Sequence, residues 1–159
     1  SGPGAAESIP MEALPIGRAE RRREGSKIAI LSFGTMLGNA LAVGETLGAT
    51  VANMRFVKPL DESLVLELAE SHELLVTLEE NVVAGGAGSA VNELLCARAL
   101  KTNILNLGVP DRHLDHGTQA EQLVECGLDE SGIVKSIRAR LSATAGKKRP
   151  GSIQLVTRN

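Results

Sequence analysis

Three stretches of the chain carry side chains whose types and spacing could do chemistry. In VTLEENVVAGGAGSAVNELL, residues 76–95, Glu79 and Glu80 stand just ahead of Gly85, Gly86 and Gly88. A glycine loop that opens a helix presents backbone N–H groups at the positive end of the helix dipole, so the stretch is a candidate phosphate cradle. No lysine lies between Leu78 and Leu100 to complete a Walker-type loop, and Val91 stands where a dinucleotide fingerprint needs its third glycine. The glutamates also oppose an anion, since like charges 4 Å apart cost about 1 kcal/mol even in water. The residues therefore favour a tight turn that brings strand and helix close together over a phosphate site.

The second stretch is MRFVKPLD, residues 54–61. Arg55 is a cation placed at the end of an expected strand, with Lys58 nearby and Pro59 restricting the loop. A guanidinium can grip a phosphate through two parallel hydrogen bonds, which a lysine cannot do. An ion pair with Asp61 or Glu79 would use Arg55 structurally instead, and spacing alone does not decide between the two.

The third is DRHLDHG, where Asp111, His113, Asp115 and His116 supply four possible ligands within six residues. The H-x-x-H spacing needs a helix or closed loop to converge on a metal, and a partner cluster elsewhere is missing, so no metal site is expected. His72 falls at a helix end, where a cation beside the negative pole of the dipole is ordinary. Cys96 and Cys126 lie thirty positions apart in apolar helical contexts without metal-type spacing, and read as buried thiols. No serine or cysteine nucleophile can be joined to an ordered histidine and carboxylate. No catalytic residue is assigned within this chain.

These side chains need elements to position them. At 159 residues and 43% hydrophobic, the chain suffices for one packed domain. Phe33 and Phe56 are its only aromatic residues, so Leu, Val, Ile and Ala must build the core and base stacking is disfavoured. The net charge is −2, with basic runs only at Arg18 to Arg23 and Lys147 to Arg149, which argues against nucleic-acid binding. No apolar run reaches the roughly 18 residues of a membrane span, and no secretory signal opens the chain. A cytoplasmic protein without membrane or nucleic-acid partners is expected.

Residues 1–26, rich in Gly, Pro and Arg, read as an extended linker. KIAILSF (27–33), ATVANMRFV (49–57), ELLVTLEE (73–80) and TNILNLGVP (102–110) read as strands. GTMLGNALAVGETLG (34–48), DESLVLELAESH (61–72) and SAVNELLCARAL (89–100) read as the helices between them. Thr35 is the expected N-cap of the first helix and Gly48 its stop. Thr118 and Glu121 form a capping box for a short helix ending near Gly127. A last helix is expected from Asp129 to Leu141, and a mobile tail over 142–159. Strands alternating with helices imply an α/β fold over 27–141, a mostly parallel sheet flanked by helices on both faces. Ligands in such sheets settle outside the carboxyl ends of the strands.

PIGRAE, MRFVKPLD, LVTLEENVVAGGAGSAVNELL and LNLGVPDRHLDHGTQAEQL resemble, in order and spacing, the C-terminal third of the 1-deoxy-D-xylulose-5-phosphate synthases. The resemblance covers about Leu14 to Leu141. It implies the transketolase C-terminal domain fold, within a thiamine diphosphate enzyme that condenses pyruvate with D-glyceraldehyde 3-phosphate and releases carbon dioxide. Transketolases and the β subunits of 2-oxoacid dehydrogenases share the fold and the glutamate-then-glycine pattern, but RFVKPLD favours the synthases. In that family the G-D-G…N element that holds Mg²⁺ and the diphosphate, and the glutamate that activates the cofactor, lie in the two preceding domains. No G-D-G occurs here.

The resemblance thus implies thiamine diphosphate and Mg²⁺ bound by domains absent from this chain, an isolated chain that is inactive, and a homodimer. It also implies that Arg55 binds the acceptor phosphate. The start at Ser1 without methionine reads as a cut from a longer polypeptide, just past the family's R-Y-P-R-G segment. Outside the resemblance, a non-catalytic α/β module that binds a partner protein or a regulatory anion is the alternative of another class.

Overall fold

The computed structural model describes residues 15–82, 86–109 and 119–151. Five strands, β1 (Glu20–Arg23), β2 (Ile28–Ser32), β3 (Thr50–Asn53), β4 (Leu74–Val82) and β5 (Ile104–Val109), form one sheet in the order β1-β3-β2-β4-β5. β3, β2, β4 and β5 run parallel, and β1 pairs antiparallel with β3. The helices are α1 (Leu37–Leu47), α2 (Glu62–Ser71), α3 (Ala87–Ala97), α4 (Gln119–Glu125) and α5 (Glu130–Gly151).

β2 is the central strand, and its five residues are all buried. Successive side chains of a strand point to opposite faces, so a strand covered on both sides must be apolar throughout, as IAILS nearly is. Ile28 and Ile30 pack with Ala40 and Val43 of α1 and with Ile133 and Ile137 of α5. Ala29 and Leu31 pack with Leu64, Val65 and Leu68 of α2 and with Val91, Leu94 and Leu95 of α3. The expected α/β architecture with helices on both faces is therefore present.

Several local expectations hold. Gly48 ends α1 in the left-handed region (φ 69°), which costs glycine nothing because it has no Cβ. Asp61 caps α2, accepting a hydrogen bond from the Leu64 N–H at 3.2 Å, and also one from the Ala19 N–H at 2.7 Å.

Other expectations are corrected. Residues 20–23, read as part of a linker, form the edge strand β1. An edge strand with an exposed face tolerates charge, so ERRR carries no hydrophobic alternation to announce it. Arg21 instead anchors the strand by pairing with Glu67 of α2. β3 stops at Asn53 rather than Val57, because Arg55 leaves the extended region at φ 64°. Thr35 does not cap α1: a 3₁₀ turn over Gly34–Met36 precedes the helix, and the Thr35 hydroxyl donates to Glu80 instead. A carboxylate acceptor makes the stronger bond, since it is charged.

α5 continues past Leu141 into the stretch expected to be a tail. Its residues there include good helix formers, and Asn103 ties Thr144 to the sheet through a 2.9 Å hydrogen bond. Residues 152–159, Thr118 of the expected capping box, and Asp111, His113, Asp115 and His116 lie outside the described residues. Among the described residues no helix is long and apolar enough to cross a membrane.

Candidate functional site

The carboxyl ends of the parallel strands bring three of the singled-out groups to one end of the sheet. β4 carries two of them, and strand alternation sends them opposite ways. Odd-numbered Leu75 packs on the side of α2 and α3, whereas even-numbered Leu74, Val76 and Leu78 pack on the side of α1 and α5. Glu79 consequently points towards α3, and Glu80 towards the turn before α1, where Thr35 meets it.

Glu79 is buried, with 1% of its surface exposed. One carboxylate oxygen accepts from the Ala87 N–H at 2.9 Å and the other from the Gly88 N–H at 2.7 Å. These are the first amides of α3, the donors that a phosphate would have used. The chain's own carboxylate fills that position, satisfying two donors that helix geometry leaves without intrahelical acceptors and placing negative charge at the positive end of the dipole. Among the described residues, the first turn of α3 is therefore no cradle for a phosphate or a diphosphate cofactor.

Gly88 lets α3 sit this close to the sheet. A Cβ built there would stand 2.9 Å from Asn106 Nδ2 and 3.0 Å from Thr77 Oγ1. Those atoms cannot move freely, because Asn106 donates to Thr77 at 2.7 Å and accepts from Asn92 of α3 at 2.8 Å. Gly88→Ala is expected to destabilise the chain by about 1–2 kcal/mol through this overpacking, read from urea denaturation. An unchanged midpoint would show that Asn106 yields without cost.

Arg55 follows β3 at the same end of the sheet. Its Nη1 donates to the main-chain carbonyl of Arg18 at 3.3 Å, and its guanidinium carbon lies 4.8 Å from the centroid of the Phe56 ring. Neither expected ion-pair partner takes it: Asp61 serves the Leu64 and Ala19 N–H groups, and Glu79 serves α3. Among the described residues, none of the ion pairs includes Arg55. Its positive φ is shared by Lys27 and Ala99, but Lys27 precedes β2 and Ala99 follows α3. Among the described non-glycine residues, only Arg55 adopts it at the carboxyl end of a parallel strand.

Arg55, Arg18, Pro15, Ala19 and Glu20 line a cleft of about 180 Å³. Lys58 is not among them; it borders a separate groove between the loop before α2 and α3, with Pro59, Ala90 and Leu94. Arg18 escaped the sequence reading because it sits in the stretch taken as linker. No local signal could have found it, because it joins the cleft only where the antiparallel edge strand folds that stretch back beside the end of β3.

The remaining chemistry-bearing residues within the described segments are accounted for structurally. The His72 ring has Nε2 at 2.8 Å from Thr50 Oγ1 and Nδ1 at 3.1 Å from the Leu68 carbonyl, so it ties the end of α2 to β3. Cys96 is exposed and Cys126 half-buried, contrary to the expectation of two buried thiols. The buried stripe of α3 includes Ala87, Val91, Leu94 and Leu95, and a 3.6-residue period turns Cys96 away from it. Among the described residues no group of three or more His, Cys, Asp or Glu is placed to hold a metal ion.

A family model described as "Transketolase, C-terminal domain" matches residues 17–133. Over 141 residues the chain is 57% identical to a 1-deoxy-D-xylulose-5-phosphate synthase of Thioalkalivibrio sulfidiphilus, covering 89% of this chain and 22% of that protein. Over 140 residues it is 59% identical to the synthase of Nitrosospira multiformis, covering 88% of this chain and 23% of the relative. The chain thus spans under a quarter of the length of these relatives. A solved structure described as the inactive β4 tetramer of a split-gene transketolase superposes with a TM-score of 0.74 at 30% identity, covering 81% of this chain and 44% of that one. A transketolase from Campylobacter jejuni shares the fold, with a TM-score of 0.53 at 16% identity over 77% of this chain and 18% of its own.

Proposed function

The chain belongs to the transketolase C-terminal domain family, and we propose on that footing that it works as the C-terminal domain of a 1-deoxy-D-xylulose-5-phosphate synthase. The whole enzyme would condense pyruvate with D-glyceraldehyde 3-phosphate, releasing carbon dioxide, in the cytoplasm and as a homodimer. Its product would feed isoprenoid and thiamine synthesis. The observation that carries this reading is the 57% identity to a synthase over 89% of the chain, against 30% to the split-gene transketolase.

Within such an enzyme, thiamine diphosphate and Mg²⁺ belong to the preceding domains. The described residues of this chain do not fit the cofactor, because the glycine loop that opens α3 already holds Glu79 on its amides. This chain contributes no step of the carbon chemistry and is inactive alone. Its work is to dock against those domains and to present Arg55 to the phosphate of the acceptor aldehyde. Arg55 supports that role by its place at a strand's carboxyl end and by carrying no ion pair among the described residues.

Docking is tested by adding this chain to the Nitrosospira multiformis synthase truncated of its matching segment, and measuring complex formation by light scattering. A stoichiometric complex is expected. If the two remain separate while each stays folded, the chain is better read as an independent α/β module.

A further inference from the structure

We propose that Asp61 is a positioning residue for Arg55, acting through the peptide that joins Arg18 to Ala19. The inference rests on the reading of Arg55 as a ligand of the acceptor phosphate and adds to it the group that aims the guanidinium. That peptide is held on both sides. Its N–H, on Ala19, donates to Asp61 Oδ2 at 2.7 Å, and its carbonyl, on Arg18, accepts from Arg55 Nη1 at 3.3 Å. A peptide unit is planar and rigid, so fixing its N–H fixes the direction of its carbonyl. A charged acceptor on the N–H also polarises the unit, which makes the carbonyl a stronger acceptor for a guanidinium.

Asp61 has the oxygens for both tasks. The cap of α2 uses only Oδ1, which accepts from the Leu64 N–H at 3.2 Å. A serine or threonine would cap the helix as well, but neither has a second side-chain oxygen for the Ala19 N–H. Asp61 is 9% exposed, so its carboxylate is a fixed anchor between α2 and the segment before β1. The Arg18 side chain adds little to that anchor, since its Nε lies 3.9 Å from Asp61 Oδ2 and 70% of it is exposed.

The pairing of β1 with β3 begins at Glu20, opposite Asn53, so the peptide lies just outside the ladder and needs another hold. Gly17, at φ 80°, brings the preceding turn against Pro59, where a Cβ would stand 2.8 Å from Pro59 Cγ. Residues 17–19 thus lie along the loop that runs from Arg55 to Asp61. Without the Asp61 bond the peptide is free to rotate, and Arg55 must be ordered at the moment the phosphate binds.

The test is a double-mutant cycle on a whole enzyme, this chain grafted in place of the matching segment of the Nitrosospira multiformis synthase and supplied with thiamine diphosphate and Mg²⁺. Asp61→Ser keeps an acceptor for α2 and removes the one for Ala19. It is expected to raise KM for D-glyceraldehyde 3-phosphate about three- to tenfold, the equivalent of ordering one long side chain on binding. The kcat and the KM for pyruvate should be nearly unchanged. In an Arg55→Ala background the same substitution should add no further rise, because residues that act as one unit are not additive. Asp61→Asn keeps the shape and loses the charge; it should raise the acceptor KM less, and it supplies the same cycle should Asp61→Ser fail to fold. If both Asp61 variants leave the acceptor KM unchanged while Arg55→Ala raises it, the Asp61 assignment is overturned and the Arg55 reading survives. A rise of equal factor with and without Arg55 would also overturn it, since Asp61 would then act by another route. If Arg55→Ala itself changes nothing, the Arg55 reading fails and the inference fails with it.

Discussion

Glu79→Ala is expected to lower the unfolding free energy by about 3 kcal/mol. The carboxylate is buried and accepts from two amides, at 2.9 Å from Ala87 N and 2.7 Å from Gly88 N. Removing it leaves two N–H groups without acceptors at the start of a helix whose first residues are buried. Each unpaired buried donor costs about 1–3 kcal/mol, offset in part by no longer burying a charge. Glu79→Gln keeps an acceptor oxygen but loses the charge facing the helix dipole, and should lose only about 1–2 kcal/mol. Urea denaturation of the two variants beside the wild type gives both numbers. Equal stability for Glu79→Ala and the wild type would mean that water or another group satisfies the α3 amides.

Arg55→Ala is expected to raise KM for D-glyceraldehyde 3-phosphate about 30- to 150-fold, the equivalent of about 2–3 kcal/mol for a charge-assisted contact. The measurement needs a whole enzyme, made by grafting this chain in place of the matching segment of the Nitrosospira multiformis synthase, to which it is 59% identical. The KM for pyruvate should be nearly unchanged, because pyruvate carries no phosphate. A contact made equally to substrate and transition state shifts KM and spares kcat, so the effect should concentrate in KM. Arg55 is already held by the Arg18 carbonyl, so little of its freedom is lost on binding. An unchanged acceptor KM would remove Arg55 from the site and return it to a structural role.

The parts of the fold that were legible in the sequence are those where packing dictates residue type. β2 must be apolar on both faces, and IAILS says so. Gly48 and Asp61 end and start helices by local chemistry that acts within a few residues, and both do so here. β1 was not legible, because one of its edges and half of its side chains face solvent, where charge is as acceptable as Val or Ile. The extension of α5 was obscured because the Gly, Lys and Pro content after Leu141 reads as a tail.

The site was only half legible for a related reason. Arg55 could be picked out by type and place, but which anion or carboxylate it meets depends on where Asp61 and Glu79 go. Alternation along β4 could have sent Glu79 towards α3; it could not have shown that both oxygens would meet amides eight and nine residues later. Arg18 belongs to the cleft only because β1 folds back antiparallel on β3. A long-range pairing of that kind leaves no mark in local spacing.

The most direct measurement is the rate at which the grafted enzyme, supplied with thiamine diphosphate and Mg²⁺, converts pyruvate and D-glyceraldehyde 3-phosphate to 1-deoxy-D-xylulose 5-phosphate and carbon dioxide. The same host carrying the matching segment of the Campylobacter jejuni transketolase serves as the comparison. The expected result is turnover within about tenfold of the intact host, or a barrier change under about 1.4 kcal/mol, with little or none from the transketolase graft. A graft that folds and binds cofactor as the host does, yet forms no product, would contradict the assignment of this chain as a synthase C-terminal domain.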